Sequence, residues 1–567
     1  MEDYSQLCRN IIQDVYGSLL ARIFQILSQR GRLSAPQIAQ RCRLPLRQIK
    51  SALATSIQLR LIYHHTNPDG LSTYQANHKN AYMLLRSGRL IELARDTGGP
   101  SAAYILRELT VLGYATVREL KARTCGDDSP GHIEIHSQQV NGDRHDSTTL
   151  DSGHMSHSNF ENSIAHLIDN GYITKLRDAH FRSTFDAWQE VERQMNNNDG
   201  GGSAAKTKKA QIDQDARVLE ELEARLIDEV SADNVLRELS ANQGSKQSIL
   251  CANYSSLTYA LRNRSLAKAA EKTFGRLTSK VAKAAAMQVD LHLNSVSTPS
   301  PNDGPEKPKA LDIDQIVEDM RADDAHSLRE TKPSTNGWSE DRPINGAHAS
   351  LNGTHDRSDV IRHLSILAEG PFSFFEYNHI IDTWFVHQRA LYAYLRNLEL
   401  MRLMAEGLSF SDPKLRIVRM LSDKGKLDEK NLQELGLLNA KELRQSLASL
   451  HTAGLLELQE VPREPQRQPN RTIFLWFYDA ERVRKLYLNK LYKTMSRLFQ
   501  RLEVERCRLA TTLTKIERTD VQGIEEDILS AAELKVLSQW RQREAWFMAE
   551  ISRIDDSVSI LRDLQAA

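Results

Sequence analysis

Apolar side chains in this chain recur at helical spacing, give way to short strand-like runs, and then begin again. From Lys414 to Lys424, Leu415, Val418 and Leu421 lie on one face; Asn431 to Leu435 follows; Ala440 to Ala453 carries Leu443, Leu447 and Leu450. Steps of three and four residues place such side chains on one stripe of a helix, so three amphipathic helices are predicted. After Gly454, Leu455 to Val461 and Thr472 to Tyr478 read as strands joined by the polar loop Pro462 to Arg471. Three helices and a β-hairpin form a winged-helix pattern. Such a module buries its third helix on one side and offers the other to a DNA groove or to a protein.

The same order can be read three more times. Near the N-terminus Ile23, Ile26 and Leu27 mark a first helix, Pro36 to Gln40 a second, and Ile49, Leu53 and Ile57 a third; Leu61 to His65 and Leu71 to Gln75 then flank the turn Asn67-Pro68-Asp69-Gly70. A second copy runs through Ile105, Leu109 and Leu112, then Thr116 to Lys121, and resumes after an insertion at Phe160, Ile164 and Leu167 before Gly171-Tyr172-Ile173. A third is read as Val360 to Glu369, then a helix from Trp384 to Leu400 with Leu391, Leu395 and Leu398, closing on Met401 to Met404, with the helical tract Tyr254 to Met287 packed on it. The spacing between copies is too uneven for a solenoid.

The C-terminal pattern is different. Leu488, Leu491, Met495, Leu498, Leu502, Leu509 and Ile516 form a leucine-zipper-like stripe, and beyond Gly523 a second series runs through Leu537, Trp540, Phe547, Ile551, Ile554, Val558 and Leu561. Glu505 and Glu544 read as polar interruptions. With a glycine between the two series, an antiparallel coiled-coil hairpin is favoured over a parallel dimer. The fold class expected is mainly α with small β-wings, tandem winged helices followed by that hairpin. The boundaries are winged helix 1 over 1–95; winged helix 2 over 96–195; a linker over 196–209; a helical region with winged helix 3 over 210–410; winged helix 4 over 411–480; and the hairpin over 481–567.

Composition narrows the function classes. Four modules of roughly 80 to 100 residues fit normal domain sizes within the 567-residue chain. The net charge of +0 and pI of about 7.3 require any nucleic-acid contact to use local patches. Met1-Glu2-Asp3-Tyr4 does not open a signal peptide, and no window approaches the roughly 18 apolar residues of a membrane span, so an intracellular protein without membrane contact is expected. Cys8, Cys42, Cys125, Cys251 and Cys507 are far apart and form no Cys-x-x-Cys pair, which argues against a zinc ribbon or a disulfide framework. Three polar stretches, Gly126 to Ser158, Asn196 to Lys209 and Ser295 to Asp356, read as disordered inserts or linkers. The first holds five histidines without a rigid scaffold, so no metal is expected; Lys206, Lys208 and Lys209 in the second have the composition of a nuclear localisation patch, but a solvated linker is the favoured reading. No phosphate loop, nucleophile elbow or His-Glu-x-x-His is present; no catalytic residue and no cofactor is predicted.

Basic side chains are the candidate chemistry. In the fourth module Lys441 and Arg444 lie off the apolar face, and Arg463, Arg467 and Arg471 sit on the wing, where three guanidiniums suit a phosphate backbone. Around the third helix of the first module, Arg43, Arg47, Lys50 and Arg60 repeat the arrangement. Exposed Lys and Arg are more often simply solvated.

The helix from Leu7-Cys8 to Tyr16-Gly17 leading into Leu33-Ser34-Ala35-Pro36-Gln37-Ile38-Ala39, the tract Asn253-Tyr254 to Arg262-Asn263-Arg264, the serial modules and the terminal zipper together resemble the third-largest subunit of nuclear RNA polymerase III. The likeness covers nearly the whole chain apart from the three inserts, which are reminiscent of filamentous-fungal members. It implies a nuclear, non-catalytic subunit, distantly similar to the alpha subunit of general transcription factor E but lacking that factor's zinc-ribbon residues. By the same likeness it joins two smaller specific subunits on the clamp of the largest subunit, contacts initiation factor, meets promoter DNA through the polymerase, and assists opening at transfer RNA and 5S ribosomal RNA genes. Arg463 to Arg471 would match the loop that reaches toward the active-centre cleft. Two other classes compete. A proteasome-lid-type scaffold also ends in a winged helix and a coiled coil but has a helical-repeat N-terminal half, and a stand-alone DNA-binding regulator would show a basic recognition helix.

Overall fold

A computed structural model describes residues 2–66, 70–125, 157–198, 208–226, 234–237, 248–295, 309–330, 357–369, 375–408, 413–462, 472–516, 518 and 529–563. The chain is mainly helical and divides into two compact units. One comprises Ser5–Ala260 with Asp290–Ser300, the other Met1–Tyr4, Leu261–Val289 and Pro301–Ala567.

The first unit takes α1 (Glu2–Tyr16) from Ser5 onward, with Leu7, Cys8, Ile11 and Ile12 buried. Then come α2 (Ser18–Arg30), β1 (Leu33–Ser34), α3 (Ala35–Cys42), α4 (Leu46–Gln58), β2 (Ile62–Thr66) and β3 (Ser72–Ala76). The start of α3 is written in Ser34-Ala35-Pro36-Gln37. Ser34 and Gln37 form a capping box, the Gln37 side chain accepting from the Ser34 N–H at 3.0 Å, and Pro36 occupies a first-turn position where its missing N–H costs nothing. The sheet has the order β1-β3-β2, with Leu33 opposite Tyr74 and Ile62 opposite Ala76. Ile23, Phe24, Leu27, Ile49 and Leu53 are buried in this unit. The predicted turn residues Asn67, Pro68 and Asp69 lie outside the described residues.

After α5 (His78–Met83) and a 3-10 turn comes α6 (Ser87–Leu112), bent where Gly99 takes φ 80° and Pro100 starts a new helical segment. A second set follows: β4 (Ala115–Thr116), α7 (Val117–Cys125), α8 (His157–Asp169) and β5 (Ile173–Lys175). Then α9 (Thr184–Asn198) and α10 (Lys208–Leu226) pair through Ala187, Val191, Val218 and Leu222. The sheet of the second set is completed by β6 (Ile249–Ala252), which lies between β4 and β5 with Leu250 opposite both Ala115 and Lys175. Sequence reading bounded this set at residue 195, and so missed its middle strand. The insert placed over 126–158 lies outside the described residues except for His157 and Ser158, which begin α8. The linker read over 196–209 loses both ends: α9 runs to Asn198 and α10 starts at Lys208.

In the second unit, α11 (Tyr254–Phe274) contributes its residues from Leu261 onward. It is followed by α12 (Arg276–Ser295), β7 (Lys309–Leu311), α13 (Ile313–Glu330), α14 (Arg357–Glu369), β8 (Phe375–Asn378) and β9 (Thr383–Val386), the strands in the order β7-β9-β8. Two expectations fail here. The stretch Ser295 to Asp356 is not wholly an insert, because Leu311, Ile313, Ile316, Val317 and Met320 enter the core at strand and helix spacing amid Pro, Asn and Asp. Trp384 is a strand residue opposite Leu311 and Tyr377, and helix begins only at α15 (Gln388–Leu408), which runs through Met401 and Met404 without a closing strand. β-branched and aromatic Thr383-Trp384-Phe385-Val386 favours the strand. Buried Arg262 is satisfied by the Tyr392 hydroxyl at 2.6 Å and by Asn263 Oδ1 at 2.8 Å, which is why a guanidinium can sit in this core.

The fourth set is α16 (Pro413–Lys424), α17 (Glu429–Gly436), α18 (Ala440–Thr452), β10 (Glu457–Pro462) and β11 (Thr472–Phe477). Leu415, Val418, Leu421, Leu443, Leu447 and Leu450 are all buried, as their spacing predicts. The chain ends in α19 (Ala480–Arg508), α20 (Ala510–Ile516), α21 (Ala531–Val558) and a π-helical turn, Ser559–Asp563.

Candidate nucleic-acid and assembly surfaces

α18 turns Leu443, Ser446, Leu447 and Leu450 inward, and this leaves Lys441 and Arg444 exposed on its outer side. Arg444 already has a partner: its Nε donates to Glu429 Oε2 at 3.0 Å, which neutralises part of the patch. The turn before α18 is apolar. Leu437, held in the left-handed region at φ 50°, is 87% exposed, and Leu435 is exposed beside it. Strands β10 and β11 pair from Glu457 opposite Phe477 to Pro462 opposite Thr472, so the base of the wing is formed. Arg463, Arg467 and Arg471 themselves lie outside the described residues. At the foot of the hairpin Lys426 spans the Phe477 ring, 5.3 Å from its centroid, and donates to Gln459 at 2.6 Å.

In the first unit Arg43 closes α3 in the left-handed conformation at φ 53°, and Arg47 and Lys50 lie on the face of α4 opposite Ile49, Ala52 and Leu53. All three basic side chains are exposed. Arg60 does not belong with them. It is half-buried, its guanidinium lies 5.9 Å from the centroid of the Tyr254 ring, and its carbonyl accepts from Asn77 Nδ2 at 3.1 Å and Asn80 Nδ2 at 3.2 Å. Burial pushes the Cys251 thiol and the Tyr254 hydroxyl up, with Arg60 pulling both the other way, so this cation works inside the fold.

The predicted zipper stripe is shifted in part. On α19 the buried line is Leu488, Tyr492, Met495, Phe499 and Leu502, steps of four and three that keep every contact on one seam. Leu488, Met495 and Leu502 are where the pattern puts them, but the alternate positions are aromatic, and Leu491 and Leu498 are half-buried flanks. A leucine count missed Tyr492 and Phe499 because it scored residue type above angular position. Leu509 sits at the break between α19 and α20, and with Ile516 it packs on the edge of a cluster holding Leu502, Leu529, Leu537, Trp540 and Phe547. Ion pairs record the direction of the two long helices. Arg506 meets Glu544 at 2.8 Å and Lys515 meets Glu533 at 2.6 Å, so later residues of one segment face earlier residues of the other. Glu505, read as an interruption, is buried and faces Arg501 at 2.9 Å, Arg508 at 3.1 Å and Arg543 at 3.9 Å.

Two further groups have shifted titration. Tyr478, just past β11, is pushed up to about 12 by burial and then by Tyr487 and Asp479. Lys515 and the Ser530 N–H and hydroxyl hold Glu533 down at about 2. Among the described residues His, Cys, Asp and Glu nowhere gather in threes that could hold a metal, and no helix is long and apolar enough to cross a membrane. At the tip between β8 and β9, Ile380 and Ile381 are exposed, 94% and 61%. Exposed apolar side chains on turns suit protein contact better than contact with a phosphate backbone.

Residues 408–478 match the family model described as POLR3C, C-terminal winged-helix domain. Residues 162–395 match RNA polymerase III subunit RPC82, and residues 6–67 match the RNA polymerase III subunit RPC82 helix-turn-helix domain. The DNA-directed RNA polymerase III subunit rpc3 of Aspergillus niger is 33% identical, the alignment covering 99% of this chain and 99% of that protein. The subunit of the same name from Aspergillus oryzae is 32% identical over 98% of this chain and 99% of its own length. The corresponding subunit RPC-3 of Coccidioides immitis is 31% identical over 99% of this chain and 100% of its own. With two winged-helix or helix-turn-helix matches near its ends and end-to-end similarity to these fungal subunits, the chain belongs to the RPC82/rpc3 family of RNA polymerase III subunits.

Proposed function

We propose that this chain is a non-catalytic subunit of nuclear RNA polymerase III that joins two smaller polymerase-specific subunits on the clamp of the largest subunit. There it contacts initiation factor and supports promoter opening at transfer RNA, 5S ribosomal RNA and other small RNA genes. The observation that carries this reading is similarity along 99% of the chain to proteins named as subunits of that enzyme. The repeated sets of three helices and a small sheet act as tandem winged helices, and α19 with α21 acts as a coiled-coil hairpin for assembly.

Protein docking is the main work of these modules. The formal charge of +0 supplies no global attraction for DNA, and the exposed Leu437 and Ile380 suit protein partners. DNA is met locally: by Arg463, Arg467 and Arg471 of the fourth wing together with Lys441 and Arg444 of the same module, and by Arg43, Arg47 and Lys50 on the first module. Neutral charge in bulk with arginines on one loop lets the subunit touch the backbone without holding duplex DNA by itself.

The test is affinity purification of the tagged chain from nuclei, followed by a promoter-opening assay on the recovered polymerase. Recovery of the large subunits in fixed proportion is expected, with R463Q/R467Q/R471Q weakening open-complex formation while the smaller subunits stay bound. Recovery of a proteasome-lid-type assembly, or of the chain alone, would sink the reading. Equal loss of opening and of assembly would remove the wing's role.

A further inference from the structure

Between α19 and α21 lies a cavity of about 510 Å³ lined by Arg501, Glu505, Arg508, Gln542, Arg543 and Trp546, among others. Three guanidiniums surround one carboxylate, leaving an excess positive charge. Glu505 is buried, so its charge needs the arginines; all three arginines are exposed and need not stop at Glu505. Beside them Trp546 is 56% exposed, its ring edge-on to Phe547 at 5.2 Å, a large apolar surface facing solvent. Arginine with tryptophan around a recess is the composition of an interface centre.

The spacing says what kind of partner fits. Arg501, Glu505 and Arg508 lie one turn apart along α19, and Gln539, Arg543 and Trp546 do the same along α21. Two rows at helical pitch bordering a groove match the i, i+4, i+7 positions of a third helix laid along it. We propose that this groove seats an acidic amphipathic helix from another polypeptide of the polymerase, its carboxylates on Arg501, Arg508 and Arg543 and an apolar residue against Trp546. The inference rests on the chain being a polymerase subunit. A second copy of this chain is disfavoured as occupant, since the same face would bring three more arginines against these.

The experiment uses the assembled polymerase purified through the full-length chain, with Trp546 replaced by the photo-crosslinking residue p-benzoylphenylalanine and the crosslinked peptide sequenced. A crosslink to a helical segment of net negative charge in another subunit is expected. Removing two of the cations in R501Q/R543Q keeps the Arg508 partner of Glu505, and it should lower that crosslink about tenfold, the scale of losing charge pairs at an interface. K485Q/K493Q, exposed elsewhere on α19, should leave it unchanged. The same photo-residue at Leu498, which packs on the helix seam, should crosslink within the chain and so proves the photochemistry. Large polymerase subunits missing from the purified material overturn the polymerase reading itself. With them present, a crosslink to nucleic acid, to a second copy or to a basic segment overturns the groove's assignment, as does none at all, or one that R501Q/R543Q leaves intact.

Discussion

Leu427 and Trp476 exchange both of their backbone hydrogen bonds, Leu427 donating at 3.0 Å and Trp476 returning at 2.8 Å. One residue thus does for the fourth sheet what β1, β4 and β7 do for the other three: it covers an edge of the hairpin. Leu427→Pro deletes a donor and keeps the acceptor, so one of the two bonds is lost. The expected cost is about 1–3 kcal/mol. A denaturant melt should show the loss; an unchanged melt would mean that the Leu427 N–H bond to the Trp476 carbonyl contributes nothing.

Gly113 ends α6 with φ 82°, and a Cβ there would stand 2.2 Å from the Gln58 carbonyl oxygen. Gln58 also holds this corner by donating to the Leu112 carbonyl at 3.1 Å. Gly113→Ala combines left-handed strain with a clash against backbone, for a loss of about 2–4 kcal/mol. A denaturant melt of the full chain should show it, while Gly31→Ala, with open space around the added methyl, should cost about 1 kcal/mol from its φ of +74° alone.

The seam on α19 predicts unequal truncations. Phe499 is 5% exposed and Leu498 only half-buried, so Phe499→Ala should destabilise by about 3–4 kcal/mol and Leu498→Ala by about 1 kcal/mol. Thermal unfolding of the two variants decides it. The reverse order would restore the leucine-only stripe.

Glu533 supplies a pH dependence. Its carboxylate is held at about 2 against an ordinary 4.5 by Lys515 and by the Ser530 N–H and hydroxyl. A depressed carboxylate contributes stability that is fully present above the ordinary value and lost as pH falls through the folded one. The start of α21 should therefore stay capped at pH 5 and loosen progressively below about 4.5, the contribution gone near 2. A carboxyl NMR titration of Glu533 with a midpoint near 4.5 would remove the cap's role, and Ser530→Ala should move the midpoint upward.

Helices α2 to α4 and α16 to α18 are legible in the chain because each is short, strongly periodic and joined by local turns. Ser34 and Gln37, or Asp428 accepting from the Asn431 N–H at 3.0 Å, mark their starts in the sequence itself. What escapes is whatever depends on distant pairing. Ile249–Ala252 looks like any short apolar run until β4 and β5 are in place. Ile313–Glu330 is hidden by polar neighbours although Ile316, Val317 and Met320 keep helical spacing. For the candidate surfaces, exposure of Lys441, Arg444, Arg43, Arg47 and Lys50 follows from periodicity, since each lies off an apolar stripe. The inward turn of Arg60 does not, because it is set by Tyr254 from far along the chain. Buried Glu505 with its arginines is likewise a product of two helices meeting.

The position of β6 also bears on how the protein is made. Synthesis releases β4 and β5 first, and these two strands do not pair with each other; both wait for Ile249–Ala252. Until the ribosome has passed that point, the half-built sheet presents two open edges, the kind of surface that chaperones bind and that aggregates recruit. A chain cut short anywhere in residues 176–248 therefore cannot close this module, however well the helices before it have folded.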